Sequence, residues 1–211
     1  MLTLTARDRE ILEVITRRVR LLTLPQISRT WWSGKHAAQS ARRRLQELES
    51  RGLVEVFTAY AHPELPLLHP VYDWTPGRDA PNFGALSYQL VSRWIEPHAP
   101  VPAVIATRQA AVSFGGYGGK RPKRVEENHD VHLAAVFLRL RATTPQLAQC
   151  WQSEETIRRS RPNAPGEKLP DAIVRFNGGQ KVVDFGGEYS AEKLESFHRW
   201  AEEKGLPYEF W

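Results

Sequence analysis

The stretch SGKHAAQSARRRLQELESRG, from Ser33 to Gly52, constrains this chain more than any other. Ala38, Ala41, Leu45 and Leu48 recur on one stripe at helical spacing, so a helix is predicted over about Lys35 to Arg51, with Gly52 as its left-handed stop. Small residues on the inner stripe allow close packing against a neighbour. A step of ~100° per residue then turns His36, Gln39, Ser40 and Arg43 outward, with Arg42 and Arg44 on the flanks and Lys35 at the start. The plain alternative for that surface is a solvated helix face.

Two helices are predicted before it. Thr5 caps one over about Ala6 to Arg18, with Asp8 in its first turn and Ile11, Leu12, Val14 and Ile15 inside. The other begins near Thr23, takes Pro25 in its first turn and buries Leu24, Ile27 and Trp31. A strand from Leu53 to Tyr60 follows, with a partner strand expected near Val71 to Trp74. Three helices and a hairpin in this order resemble a winged helix-turn-helix, whose third helix enters the major groove of DNA. Gln39 and Arg43 suit adenine and guanine edges; Ser40, Arg42 and Arg44 suit backbone oxygens. The expected wing tip, AHPELPLL from Ala61 to Leu68, holds Glu64 and no basic residue, so it suits packing better than minor-groove contact.

A net charge of +5 and a pI near 9.5 favour a polyanionic partner. The charge is clustered at Arg17, Arg18 and Arg20, at Arg42 to Arg44, at Lys120, Arg121, Lys123 and Arg124, and at Arg158, Arg159 and Arg161. Cys150 is the only cysteine, which excludes an intramolecular disulfide and a multi-cysteine zinc site. No apolar run approaches the ~20 residues of a bilayer span, and the start lacks the basic-then-apolar pattern of an export signal, so the cytoplasm and no membrane partner are expected.

TPGRDAPNFGA, Thr75 to Ala85, reads as a connection, followed by a helix carrying Leu86, Leu90, Val91 and Trp94. The expected organisation is a winged-helix domain over 1–78, a linker and connecting helix over 79–98, and an α/β domain over 99–211, an α+β two-domain chain. Strands are expected at Val101 to Ala106 and Ala111 to Phe114, then a flexible basic loop, GGYGGKRPKR, whose Lys120, Arg121, Lys123 and Arg124 are candidate phosphate contacts beside a stacking Tyr117. His129 and His132 on the next helix lack a third nearby nitrogen or sulfur ligand, so no dedicated metal site is expected there.

Near the C-terminus, LPDAIVRF and QKVVDF flank NGG as a hairpin that brings Asp171 and Asp184 to one end. Paired carboxylates holding magnesium activate water in many nucleases, with Glu126 or Glu127 as a candidate third acid. A helix capped by Ser190 and a last strand, LPYEFW, complete an α/β unit.

This order resembles the PD-(D/E)xK nuclease fold, with Pro170 and Asp171 as the first pair and Asp184 as the later acid. Where that motif has its lysine, this chain has Gly186; Lys193 is a candidate migrated substitute. More of the chain, from about Leu22 to Leu194, resembles the replication-relaxation family of plasmid and mobile-element proteins. The residues that carry this are LTLPQISRTWW, SARRRLQELESRGLV, VYDWTPGR, HDVHLAAVFLRLR and LPDAIVRF, in that order. The resemblance implies a winged helix joined to an often degenerate nuclease-like domain, acting in replication, mobilisation or control of mobile DNA.

Three readings follow. The leading one is a sequence-recognising binder of double-stranded DNA, acting as a homodimer or with protein partners and needing no cofactor. The second is a magnesium-dependent DNA nuclease using Glu127, Asp171, Asp184 and Lys193. The third is a docking subunit of a larger nucleoprotein complex.

Overall fold

The computed structural model describes residues 3–160, 169–176 and 178–211. In chain order the elements are α1 (Ala6–Arg17), β1 (Leu21–Thr23), α2 (Leu24–Trp31), α3 (Ala37–Glu49), β2 (Val54–Ala61), β3 (Tyr72–Trp74), α4 (Phe83–Val91), β4 (Ala99–Ala106), α5 (Arg108–Phe114), α6 (Arg124–Thr143), α7 (Pro145–Gln149), β5 (Trp151–Ser153), α8 (Glu154–Ser160), β6 (Ala172–Phe176), β7 (Gly179–Asp184), α9 (Ala191–Glu203) and β8 (Tyr208–Phe210). Among the described residues the fold is mixed α+β with two sheets. Among the described residues no helix is long and apolar enough to cross a membrane. Arg161 and Asn177 lie outside the described residues.

Two compact units interleave along the chain: residues 1–64 with 98–138, and residues 65–97 with 139–211. This differs from the expected boundaries at 78 and 98, and strand pairing is the reason. The antiparallel partner of β2 is β4, not the Val71 to Trp74 segment, with Val54 opposite Ala106 and Ala61 opposite Ala99. Leu21 of β1 pairs with Ile105 on the other side, so β4 is the central strand of a β1-β4-β2 sheet.

In the first unit, α1 opens on a reciprocal cap: the Asp8 amide donates to Thr5 Oγ1 and the Thr5 amide to Asp8 Oδ2. α2 repeats the device with Thr23 and Gln26. α3 ends at Gly52, whose φ of +66° suits a residue without Cβ. One sheet face carries Leu21, Phe57, Ala59, Ala61, Ala103 and Ile105, packed with Val131 of α6.

The exposed edge of β2 is capped by side chains. Its outward amides at Val56 and Tyr60, and that of His62 just past its end, donate to Glu49 Oε1 at 2.9 Å, Glu127 Oε2 at 2.7 Å and Asn128 Oδ1 at 2.9 Å. Pairing those donors in place blunts a strand edge that would otherwise recruit another chain.

Residues 111–114 were expected as a strand and instead lie in helix α5. Thr107 Oγ1 accepts the Ala110 amide at its start and Gly115, at φ +68°, closes its end. Nor is the following glycine-rich segment loose. The Tyr117 amide donates to Thr16 O at 2.8 Å, the Gly119 amide to Ala106 O at 2.7 Å, and a Cβ at Gly116 would stand 2.0 Å from Thr16 O.

The second unit holds a five-stranded sheet in the order β3-β8-β7-β6-β5. β5, β6 and β7 run antiparallel in sequence; α9 then crosses to β8, which lies parallel to β7. β3 pairs with β8 because Trp74, almost fully buried, stacks on Tyr208 at 5.5 Å and meets His198 edge-on at 4.9 Å. Residues 79–98 are likewise no mere linker: Leu86 and Leu90 of α4 enter a core with Leu194, Phe197 and Phe210.

Candidate nucleic-acid interface

On α3 the buried residues are Ala41, Leu45 and Leu48. Ala38, expected inside, is exposed with Lys35, His36, Gln39, Ser40, Arg42 and Arg43. The helix begins at Ala37, so Lys35 and His36 belong to the turn before it, where Gly34 has φ +82°. Arg7 of α1 lies over the Trp32 ring at 4.5 Å in the same turn region. The outcome is a small, basic and amide-bearing surface on a helix fixed from behind.

Arg44 does not share that surface. Its Nε and Nη2 donate to the two oxygens of buried Asp8 at 2.9 and 2.6 Å, and its Nη1 to Glu47 Oε2 at 2.6 Å. Burial works to raise the Asp8 carboxyl, but the bonds from Arg44 and Thr5 outweigh it and hold the group below the usual carboxylate range. Asp8, in return, pushes Arg44 upward, and Arg44 draws Glu47 down. The side chain assigned to phosphate contact is therefore a tie between α3 and α1.

The second basic cluster is divided in the same manner. Arg121 pairs with Glu55 and covers Phe57 at 5.2 Å, while Arg124 stacks on Tyr60 at 3.4 Å. Both line β2 as structural contacts. Lys120 and Lys123 are exposed. Of the remaining clusters, Arg20 pairs with Glu126 and Asp130, and Arg158 with Glu154 and Glu155.

In the second unit Asp171 and Asp184 stand side by side, because Ala172 pairs with Val183 and each acid is the next residue outward. Asp171 Oδ2 accepts the Phe185 amide at 2.8 Å. The Tyr189 hydroxyl donates to Asp184; burial first, and then the charges of Asp184 and Asp171, push its titration far upward. Lys193 Nζ lies over the Tyr189 ring at 3.4 Å. Burial lowers the lysine, against the opposing pull of the two aspartates. Asp171, Asp184 and Lys193 are thus brought together as a group.

Glu127, the candidate third acid, has a structural partner. It belongs to the first unit, where its carboxylate is the acceptor for the Tyr60 amide. The acid missed from sequence is Glu154, whose amide donates to Asp171 O at 2.9 Å and whose charge reaches Tyr189. Recognising it required seeing the three-residue β5 that delivers it. Tyr189 was missed for want of any motif.

At the motif position of the absent lysine, a Cβ on Gly186 would stand 2.7 Å from Leu90 Cδ1, so a side chain there requires the tip of Leu90 on α4 to shift. Among the described residues no group of three or more histidine, cysteine, aspartate or glutamate side chains is arranged to hold a metal ion. The Tyr189 hydroxyl on Asp184 occupies a carboxylate oxygen that a bound magnesium would need. His132 is buried with Nδ1 at 2.8 Å from Asn128 O, a helix-internal bond.

No family model, curated protein or solved structure matches this chain.

Proposed function

We propose that the chain is a sequence-recognising binder of double-stranded DNA, with α3 as the helix that enters the major groove. The observation that carries this reading is the surface of α3: Lys35, Gln39, Ser40, Arg42 and Arg43 stand exposed on a helix whose other side is fixed by Ala41, Leu45 and Leu48. The order α1-β1-α2-α3-β2-β4 with its β1-β4-β2 sheet supports a winged helix, in which the third helix is the reading element. Lys120 and Lys123 are further phosphate contacts. A role in replication, mobilisation or transcriptional control of a mobile element rests on the resemblance to the replication-relaxation family, a cytoplasmic setting on the absence of a basic-then-apolar start, and a homodimer on the apolar Leu65, Leu67 and Leu68.

Binding to duplexes selected from a random pool tests it, at a stated salt concentration. Arg43→Ala should weaken binding and flatten the preference by about 1 to 3 kcal/mol if that side chain reads a base. Equal binding by wild type and variant on every duplex sinks the reading and favours a docking subunit.

A metal-dependent nuclease is the second reading, favoured by the meeting of Asp171, Asp184 and Lys193 on a β5-β6-β7-α9-β8 core. Bound magnesium would there supply an activated water and a counter-charge for phosphate. Tyr189 on Asp184 weighs against it. Nicking of plasmid DNA that needs magnesium or manganese and disappears in both Asp171→Ala and Asp184→Ala would reverse the order of the two readings.

A further inference from the structure

We propose that Glu47 is a positioning residue for base readout: anchored through Arg44 to buried Asp8, it takes the Nε–H of Arg43 and leaves that guanidinium's terminal nitrogens to face a guanine edge in duplex DNA. This rests on the reading of α3 as the groove-entering helix.

Four side chains form one line from the interior of the first unit to its surface. Asp8 is buried and accepts two bonds from Arg44, at 2.9 and 2.6 Å. Arg44, only 18% exposed, passes its Nη1–H to Glu47 Oε2 at 2.6 Å. The second oxygen of Glu47 accepts Arg43 Nε at 3.3 Å. Arg43 itself is 83% exposed. An arginine that open would ordinarily sample many rotamers, and ordering one costs side-chain entropy. A carboxylate on Nε restricts the search without occupying Nη1 and Nη2, the pair that addresses O6 and N7 of guanine.

The charge balance makes the role distinguishable from ordinary stabilisation. Glu47 places a negative group one turn from residues meant to approach phosphates, so it opposes non-specific attraction. An acid at that position weakens general affinity and gains in orientation. Removing it should therefore move the two quantities in opposite directions, whereas damage to the helix would lower both.

The test uses the full chain. Preferred duplexes are selected from a random pool, and affinities are measured for the preferred site, each single base-pair substitution and a scrambled duplex, with thermal melting as the fold control. Glu47→Ala should raise affinity for scrambled DNA and cut discrimination about tenfold, or about 1.4 kcal/mol, at one base pair. Arg43→Ala should erase discrimination at that same base pair, and the double variant should lose no more. Should Glu47→Ala melt early, Glu47→Gln replaces it: the amide keeps one oxygen for Arg44 and loses the second acceptor that holds Arg43 Nε, so the preference at that base pair should still fall.

Unaltered discrimination in Glu47→Ala, or a loss spread evenly over the site, overturns the proposal. Wild-type binding without preference at any base pair also overturns it, yet leaves duplex binding intact. Failure of the wild type to bind any duplex defeats the underlying reading itself.

Discussion

Arg44 shows how far a single side chain can depart from its place on a helical wheel. Its position beside Arg42 and Arg43 made it a phosphate contact on spacing alone, but its partner lies 36 residues earlier, in another helix. The cap between Thr5 and Asp8 was legible in sequence because it is local; the second use of that carboxylate was not, because it depends on how α1 and α3 pack. Arg44→Met should cost about 3 to 5 kcal/mol, since it leaves a buried charge uncompensated. Chemical denaturation measures that, and a loss below about 1 kcal/mol, the worth of an exposed pair, would mean Asp8 is solvated. The pH dependence has a fixed sign. Asp8 titrates lower folded than unfolded, so its contribution is complete above the unfolded value near ~4 and vanishes as pH falls through the folded one. Wild type should accordingly exceed Asp8→Asn in stability at pH 7, and the gap should close on acidification below about pH 4. Gly116 is the backbone counterpart: with a Cβ 2.0 Å from Thr16 O, Gly116→Ala should destabilise by about 1 to 3 kcal/mol in the same assay.

At the scale of elements, long periodic helices and the 172–184 hairpin were readable, while short pieces set by pairing were not. α1, α2, α3 and α9 each carried a cap residue and an apolar stripe, and all four appear within a few residues of their expected bounds. β1 and β5, three residues each, have too little pattern to declare themselves. The 111–114 segment read as a strand because its alanine and valine content carries no period; Thr107 and Gly115, the two caps, held the better signal. The same limit hid Glu154 while Asp171, Asp184 and Lys193 could be named in advance. Edge capping of β2 likewise joins distant sequence, and it gives Glu127 a role that spacing could not. Glu127→Ala should strand the Tyr60 amide at a cost of about 1 to 3 kcal/mol. It should also promote self-association through the uncovered edge, readable by light scattering as protein concentration rises. A variant that melts normally yet abolishes metal-dependent nicking would instead return Glu127 to the catalytic reading.

For the whole molecule, the decisive fact is that the chain leaves the first unit after 64 and returns at 98. Proline and glycine at 75–85 suggested a domain boundary near 78, since composition marks where a chain turns without revealing which strand it will meet. A fragment of residues 1–78 would retain β1 and β2 and lose β4, the strand that separates and bonds both. Without it, two strands lose their ladders, and Ala103 and Ile105 leave the apolar face that Phe57 and Ala59 share. That fragment should lack a cooperative melting transition. A second design follows from the register. His62 and His98 are the next residues past the Ala61–Ala99 pair, and their rings meet at 4.0 Å, so a tight turn can join the strands there. Residues 3–62 linked through Asn-Gly to 98–138 should fold and melt cooperatively, and on the proposed reading bind duplexes as the full chain does, because α3, β4 and the start of α6 are all present. Cooperative folding of 1–78 with disorder in the joined chain would place the organising strand elsewhere, and the assignment of β4 to the first unit would fall with it.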